Sequence, residues 1–142
     1  MATTFEEQVG AFVAKSNERM TAVYKQAIQA TVNEAQKERG KGGNMPVDTG
    51  FLRASGDAAL NNLPSGETTN TAEGGTVKWN STASLLVINS AKLGDNVFFG
   101  WSANYAQYME RRYGFTRLAI QNWDQNVKKA AEALERRIGS GN

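Results

Sequence analysis

Apolar and small residues recur at helical spacing along the first forty positions: Phe5, Val9, Phe12, Val13, Ser16, Met20, Val23, Tyr24, Ala27, Ile28, Thr31 and Ala35. Intervals of three and four over this many turns predict one long helix, residues 4–39. Thr4 with Glu7 fits a capping box, as does Thr3 with Glu6. Gly40 suits the position just past the last turn. At 1.5 Å per residue such a helix would be roughly 50 Å long. A domain of this size needs less, so part of the helix is expected to pack on another subunit, fray or break. No long apolar heptad seam runs through it, and a constitutive coiled coil is not expected.

The Lys-Gly-Gly-Asn stretch opening residues 41–47 reads as a linker. Pro46 forces Met45 out of the helical region. Asp48 or Thr49 is a natural N-cap for a short helix over residues 50–60, with Leu52 and Leu60 inward and Arg53 to the side. Residues 61–75 are nearly all loop formers and read as an exposed flexible loop. Over residues 76–101 three strands are expected: 76–80, the continuous apolar run 84–89, and 96–101 after a turn at Gly94-Asp95. Short connections make the sheet antiparallel. C-terminal helices fill residues 105–138. The first spans 105–112, with Asn104 as its cap and Gly114 as its break, and a long second helix spans 115–137. The chain thus reads as a single α+β domain. A small antiparallel sheet is packed by a long N-terminal helix and a C-terminal helix, with a short helix after Asp48-Thr49-Gly50.

Composition narrows the chemistry. The 142 residues contain neither cysteine nor histidine, which removes thiolate metal sites, histidine ligands and the commonest general base. No catalysis, cofactor or metal is expected. No apolar run is long enough to span a bilayer, and the polar, acidic first eight residues do not read as a secretion signal. Residues 111–142 carry seven Lys/Arg against three Asp/Glu. This basic third suits nucleic acid or an acidic partner, or is a solvated helix face. Asp48-Thr49-Gly50 spells an aspartic protease triplet, but that chemistry needs paired carboxylates in an all-β frame, and a helix cap explains the same residues. Gly40, Gly42 and Gly43 lack the spacing of a phosphate loop. Glu110 beside Arg111 and Arg112 reads as an interface or surface charge cluster, with Arg53 as a candidate partner for Glu110. Trp101, Tyr105, Tyr108 and Tyr113 divide between core and subunit contact.

Two segments go further. Residues 46–55 follow the pattern P-x-D-T-G-x-L-R-x-S, and about fifty positions later residues 105–110 follow Y-A-x-x-x-E. Together, in this order, with a helix before and a helix after, they resemble the neck and tail-completion proteins of long-tailed phages. The resemblance makes Asp48, Thr49, Gly50, Leu52, Arg53, Tyr105, Ala106 and Glu110 the family-motif positions. Trp101, Tyr108, Arg111 and Arg112 are the accompanying candidates for a subunit interface. It implies a virion structural protein made in the host cytoplasm, a ring component of commonly six copies. Its partners would be copies of itself, head-connector proteins and tail-tube or terminator proteins, with non-specific contact to DNA in the lumen and none to membrane. Neighbouring roles as tail terminator or head-side stopper fit the same architecture. A small DNA-binding or regulatory protein using the basic C-terminal helix is the reading from another class. Deleting residues 64–74 is expected to leave folding intact and to impair particle assembly. Loss of the cooperative unfolding transition in that deletion would contradict the assignment of this segment as a loop.

Overall fold

The computed structural model describes residues 4–64 and 77–140. The elements among them are α1 (Phe5–Ala35), α2 (Phe51–Ala54), β1 (Gly56–Leu60), α3 (Ser81–Asn89), β2 (Val97–Trp101), α4 (Ala106–Tyr113), α5 (Phe115–Ile120) and α6 (Trp123–Ser140). The protein is α+β. Its antiparallel sheet pairs β1 with β2 from Gly56 opposite Trp101 to Leu60 opposite Val97, between a long N-terminal and a C-terminal helix.

Thr4 and Glu7 close the predicted capping box at the start of α1, with reciprocal bonds of 2.9 and 3.1 Å. The helix stops at Ala35 with Gln36 as its C-cap, before the expected end at residue 39. The chain beyond is captured by backbone pairing: Met45 N–H donates to Lys37 O and Arg39 N–H to Met45 O, each at 3.0 Å. A single 3-10 turn over Arg39–Lys41 and a left-handed Gly42 (φ 91°) close this loop. At Gly43 any Cβ would overlap the Lys37 carbonyl. The expected linker therefore begins as a tight turn in which glycine is sterically required.

Two other expectations are corrected. The helix after the Asp48-Thr49-Gly50 motif is one turn long, and residues 56–60 are strand. Pairing with β2 holds these residues extended, and Gly56 lets the strand start close to its neighbours: a Cβ there would lie 2.5 Å from the Gln36 amide nitrogen and 2.9 Å from the Phe99 ring. The apolar run 84–89, expected as a central strand, is helix α3. Asn80 caps it by accepting from Ala83 N–H at 3.1 Å, and only Ser84 and Ile88, four apart, are buried. Leu85 and Leu86 face outward. A short apolar run does not by itself distinguish strand from helix, and here the cap decides. Residues 77–80 form no strand, so among the described residues the sheet has two strands where three were expected.

The expected final helix is divided at Gln121 and Asn122, which lets α6 turn back antiparallel along α1. The Asn122 amide donates to the Glu34 carboxylate, and Asn126 Nδ2 donates to Thr31 Oγ1 at 3.0 Å. Further along, Leu134 and Ile138 reach the level of Arg19 and Ala22. At the other end of the sheet the Gly94-Asp95 turn is present. Asp95 accepts from Lys92 N–H at 2.8 Å and from the Asn61 amide at 3.3 Å. These bonds, the backbone one first, hold its carboxyl below the usual range. Asn61 thereby pins the start of the expected 61–75 loop; residues 65–75 lie outside the described residues.

Among the described residues two buried clusters form the core. One joins Ile28 and Val32 of α1 to Ala58 and Ile88. The other gathers Met45, Leu52, Ala103 and Phe115. Trp101 bridges them, edge-on to Phe99 at 5.1 Å and to Phe115 at 4.9 Å. Between the clusters Gln36 is fully buried. Its Oε1 accepts from Trp101 Nε1 (2.9 Å), its Nε2 donates to Arg53 O (2.8 Å), and its carbonyl accepts from Arg53 Nε (2.7 Å). Replacing Gln36→Leu strands the indole N–H and the Arg53 carbonyl, which should cost ~3 kcal/mol in urea unfolding. A loss below about 0.5 kcal/mol, the scale of a surface change, would show that this node does not hold the clusters together.

Candidate functional site

The two motif segments, fifty positions apart in sequence, meet in space. Ser55 at the end of the first does two things. Its hydroxyl donates to Leu52 O at 2.7 Å and accepts from Ala103 N–H at 3.2 Å, fastening the loop that precedes α4. Phe51 and Tyr105 lie 6.3 Å apart between ring centres. Tyr105 is partly buried and hydrogen-bonded at the Leu52 backbone. Burial raises the Tyr105 hydroxyl above its ordinary value, and the nearby Asp48 charge adds to this. The phenol therefore stays protonated as a fixed hydrogen-bonding group.

Between the segments lies a cleft of about 460 Å³, open to solvent. Phe51, Leu52, Tyr105 and Met109 form its apolar floor, with Arg39, Asp48 and Tyr113 around it. The Arg39 guanidinium sits 4.3 Å above the Tyr113 ring. The Asp48-Thr49-Gly50 motif forms the turn into α2 on one side. Gly50 rather than Asp48 or Thr49 is the N-cap residue, left-handed at φ 85°, and a Cβ there would overlap the Val77 carbonyl. Thr49 contributes through its hydroxyl, which accepts from Phe51 N–H at 3.3 Å, while Asp48 is exposed. The triplet is a turn on the rim, with Gly50 required by both φ and space.

Glu110 and Arg53 belong to different networks. Arg53 reaches Gln36 O, stands 3.7 Å from Glu38 and stacks over Trp79 at 5.3 Å. The Glu110 carboxylate instead accepts from Thr116 N–H at 2.8 Å and from Arg117 N–H at 3.0 Å. These are first-turn amides of α5, and an acid there satisfies unpaired donors and complements the helix dipole. Gly114, left-handed at φ 67°, makes the sharp turn between α4 and α5 that permits this reach.

The interface candidates divide. Trp101 is committed to the interior by Gln36, Phe99 and Phe115. Tyr108, 60% exposed, stands on α4 with exposed Arg111 and Arg112, residue types that anchor interfaces. Ala106 packs against the second core cluster. On α6, exposed Lys128, Lys129, Arg136 and Arg137 are interspersed with exposed Asp124, Glu132 and Glu135. Gln36 and Glu38 escaped sequence reasoning, because a lone glutamine after an amphipathic stripe carries no signal. The Glu110 cap had one: an acid placed just upstream of a glycine and a new helix.

Among the described residues no group of three acidic side chains converges as a metal site, and no helix is long and apolar enough to cross a membrane. Comparison with protein-family models, curated proteins and solved structures finds no match.

Glu110→Ala should cost about 1 kcal/mol, the worth of a helix cap, and Glu110→Gln less, since one acceptor remains. Combined with Arg53→Ala the losses should add within about 0.5 kcal/mol. A larger coupling in the double-mutant cycle would mean that the two side chains do interact.

Proposed function

We propose that this protein is a structural component of a phage neck, a ring-forming subunit that helps to join the filled head to the tail or completes the top of the tail tube. The observation that carries this reading is the unshared length of α1. Residues 4–15 are all exposed, although they include Phe5, Val9, Phe12 and Val13. Phe5 and Phe12 are 80% and 72% exposed. A helix arm with large apolar side chains facing water suits a subunit whose burial is completed by other chains.

The motifs support the same reading. Leu52, Arg53, Ser55, Tyr105 and Glu110 serve internal packing, capping and fastening, which are scaffold roles. Tyr108, Arg111 and Arg112 are left as an outward contact surface. A nucleic-acid role has less support, because the cations of α6 alternate with carboxylates. Its exposed face also lacks the stacked aromatics that single-strand binders use.

The test is electron microscopy of particles made when the gene is disrupted. The expected result is separate filled heads and tails, or heads bearing defective tails. Normal infectious particles would overturn the assignment, and salt-sensitive DNA binding by the isolated protein would then favour the nucleic-acid alternative.

A further inference from the structure

The exposed face of α1 has an internal symmetry. At 100° per residue, Phe5, Val9, Phe12, Val13, Ser16 and Met20 fall within one stripe of about 100°. Their positions are unchanged when the helix is reversed about the midpoint between Phe12 and Val13. Phe5 then falls level with Met20, Val9 with Ser16, and Phe12 with Val13. A stripe that maps onto itself under reversal is what an isologous contact requires, in which one patch meets the same patch on a second copy.

We propose that two copies of this protein pair through their α1 arms, antiparallel and centred on Phe12 and Val13. The arm is free to do so. Because Arg137 and Ile138 of α6 line one pocket with α1 residues as far back as Lys15, the ten residues of α1 before it, roughly 15 Å, project beyond α6. The area suffices. Phe5 and Phe12, at 80% and 72% exposure, together present roughly 300 Å². With Val9, Val13 and Met20 (43%, 49% and 57% exposed) each arm offers about 500 Å². A pair therefore has about 1,000 Å² to bury, the threshold for a specific interface.

The groove beside α6 extends that contact. Met20, Val23, Trp123, Val127, Ala131 and Leu134 line an apolar channel of about 610 Å³. It begins at Met20, where the stripe ends, and in the antiparallel register the partner's Phe5 arrives at this level. Charge does not set the direction: in this register Glu6 of each arm falls level with Arg19 of the other, while Glu7 falls level with Glu18. The pairing concerns a short arm plus a groove, so it needs no long heptad seam. It draws on the same exposed arm as the neck reading but differs in geometry, since a closed cyclic ring uses head-to-tail contacts between different patches.

The full-length chain should sediment at twice its mass at about 50 µM, where a micromolar contact is largely formed. Phe12→Glu should weaken association at least ~100-fold, the scale of losing a buried anchor, with its unfolding midpoint unchanged at a concentration where both proteins are monomeric, because Phe12 makes little contact within the chain. The absence of native cysteine allows a positional test. Val13→Cys, beside the twofold axis, should give covalent dimers on oxidation with diamide. Glu18→Cys, on the opposite face of the helix, should not. A monomeric mass at this concentration would overturn the proposal, as would a mass of six copies without crosslinking at Val13→Cys, which would mark head-to-tail closure. Equal crosslinking at both positions, or dimers indifferent to Phe12→Glu, would place the contact elsewhere.

Discussion

The buried amide of Gln36 is the contact on which the arrangement of the other elements depends. It stands where α1 ends, where the first motif passes and where β2 finishes, and it bonds to all three. Its two ends are chemically distinct, and each faces its complement: the carbonyl oxygen an indole N–H, the amide nitrogen a backbone carbonyl. Such a group, shut away from water, is tolerated only when every bond is made. Its demand propagates outward. Gly56 must lack a side chain because the amide nitrogen occupies that space. Arg53 is held by the Gln36 carbonyl, which places its guanidinium over Trp79 and near Glu38. Trp101 is oriented by its N–H, and so becomes the edge-on bridge between the two core clusters.

Legibility followed the physics of each element. The long helix was readable because its apolar stripe repeats over many turns and its cap uses a two-residue code, Thr4 and Glu7. The strand at residues 97–101 and the turn at Gly94 were readable for similar local reasons. The run Leu85-Leu86-Val87-Ile88 was not: hydrophobicity in every position erases periodicity, and the deciding group is the Asn80 cap outside the run. Strand β1 was hidden for the opposite reason. Gly-Asp-Ala-Ala-Leu has weak strand preference and is held extended by β2 and by the space Gln36 leaves it. The motifs were visible as residue types, but their roles were not. Arg53 and Glu110 look like a pair in sequence, while in space one is held by Gln36 and the other by the amides of α5.

The two halves of α1 carry different burdens. From Tyr24 onward the helix is closed in by the sheet, by α3 and by α6, and its apolar residues complete a core. Before Lys15 the same periodicity continues on exposed residues, with none of the described elements packed over it. A helix that served only its own domain would lose little by ending its stripe near Met20, and polar residues there would be at least as soluble. Keeping Phe5 and Phe12 on the one face that continues toward the α6 groove leaves an apolar surface in water, a surface of the kind that marks interaction sites. The rigid clasp between the motifs, with its caps and hydrogen bonds satisfied within the protomer, makes no comparable demand. In the assembly proposed above, the arm and the outward edge of α4 are the contact surfaces, and the motif residues are the frame that sets their spacing.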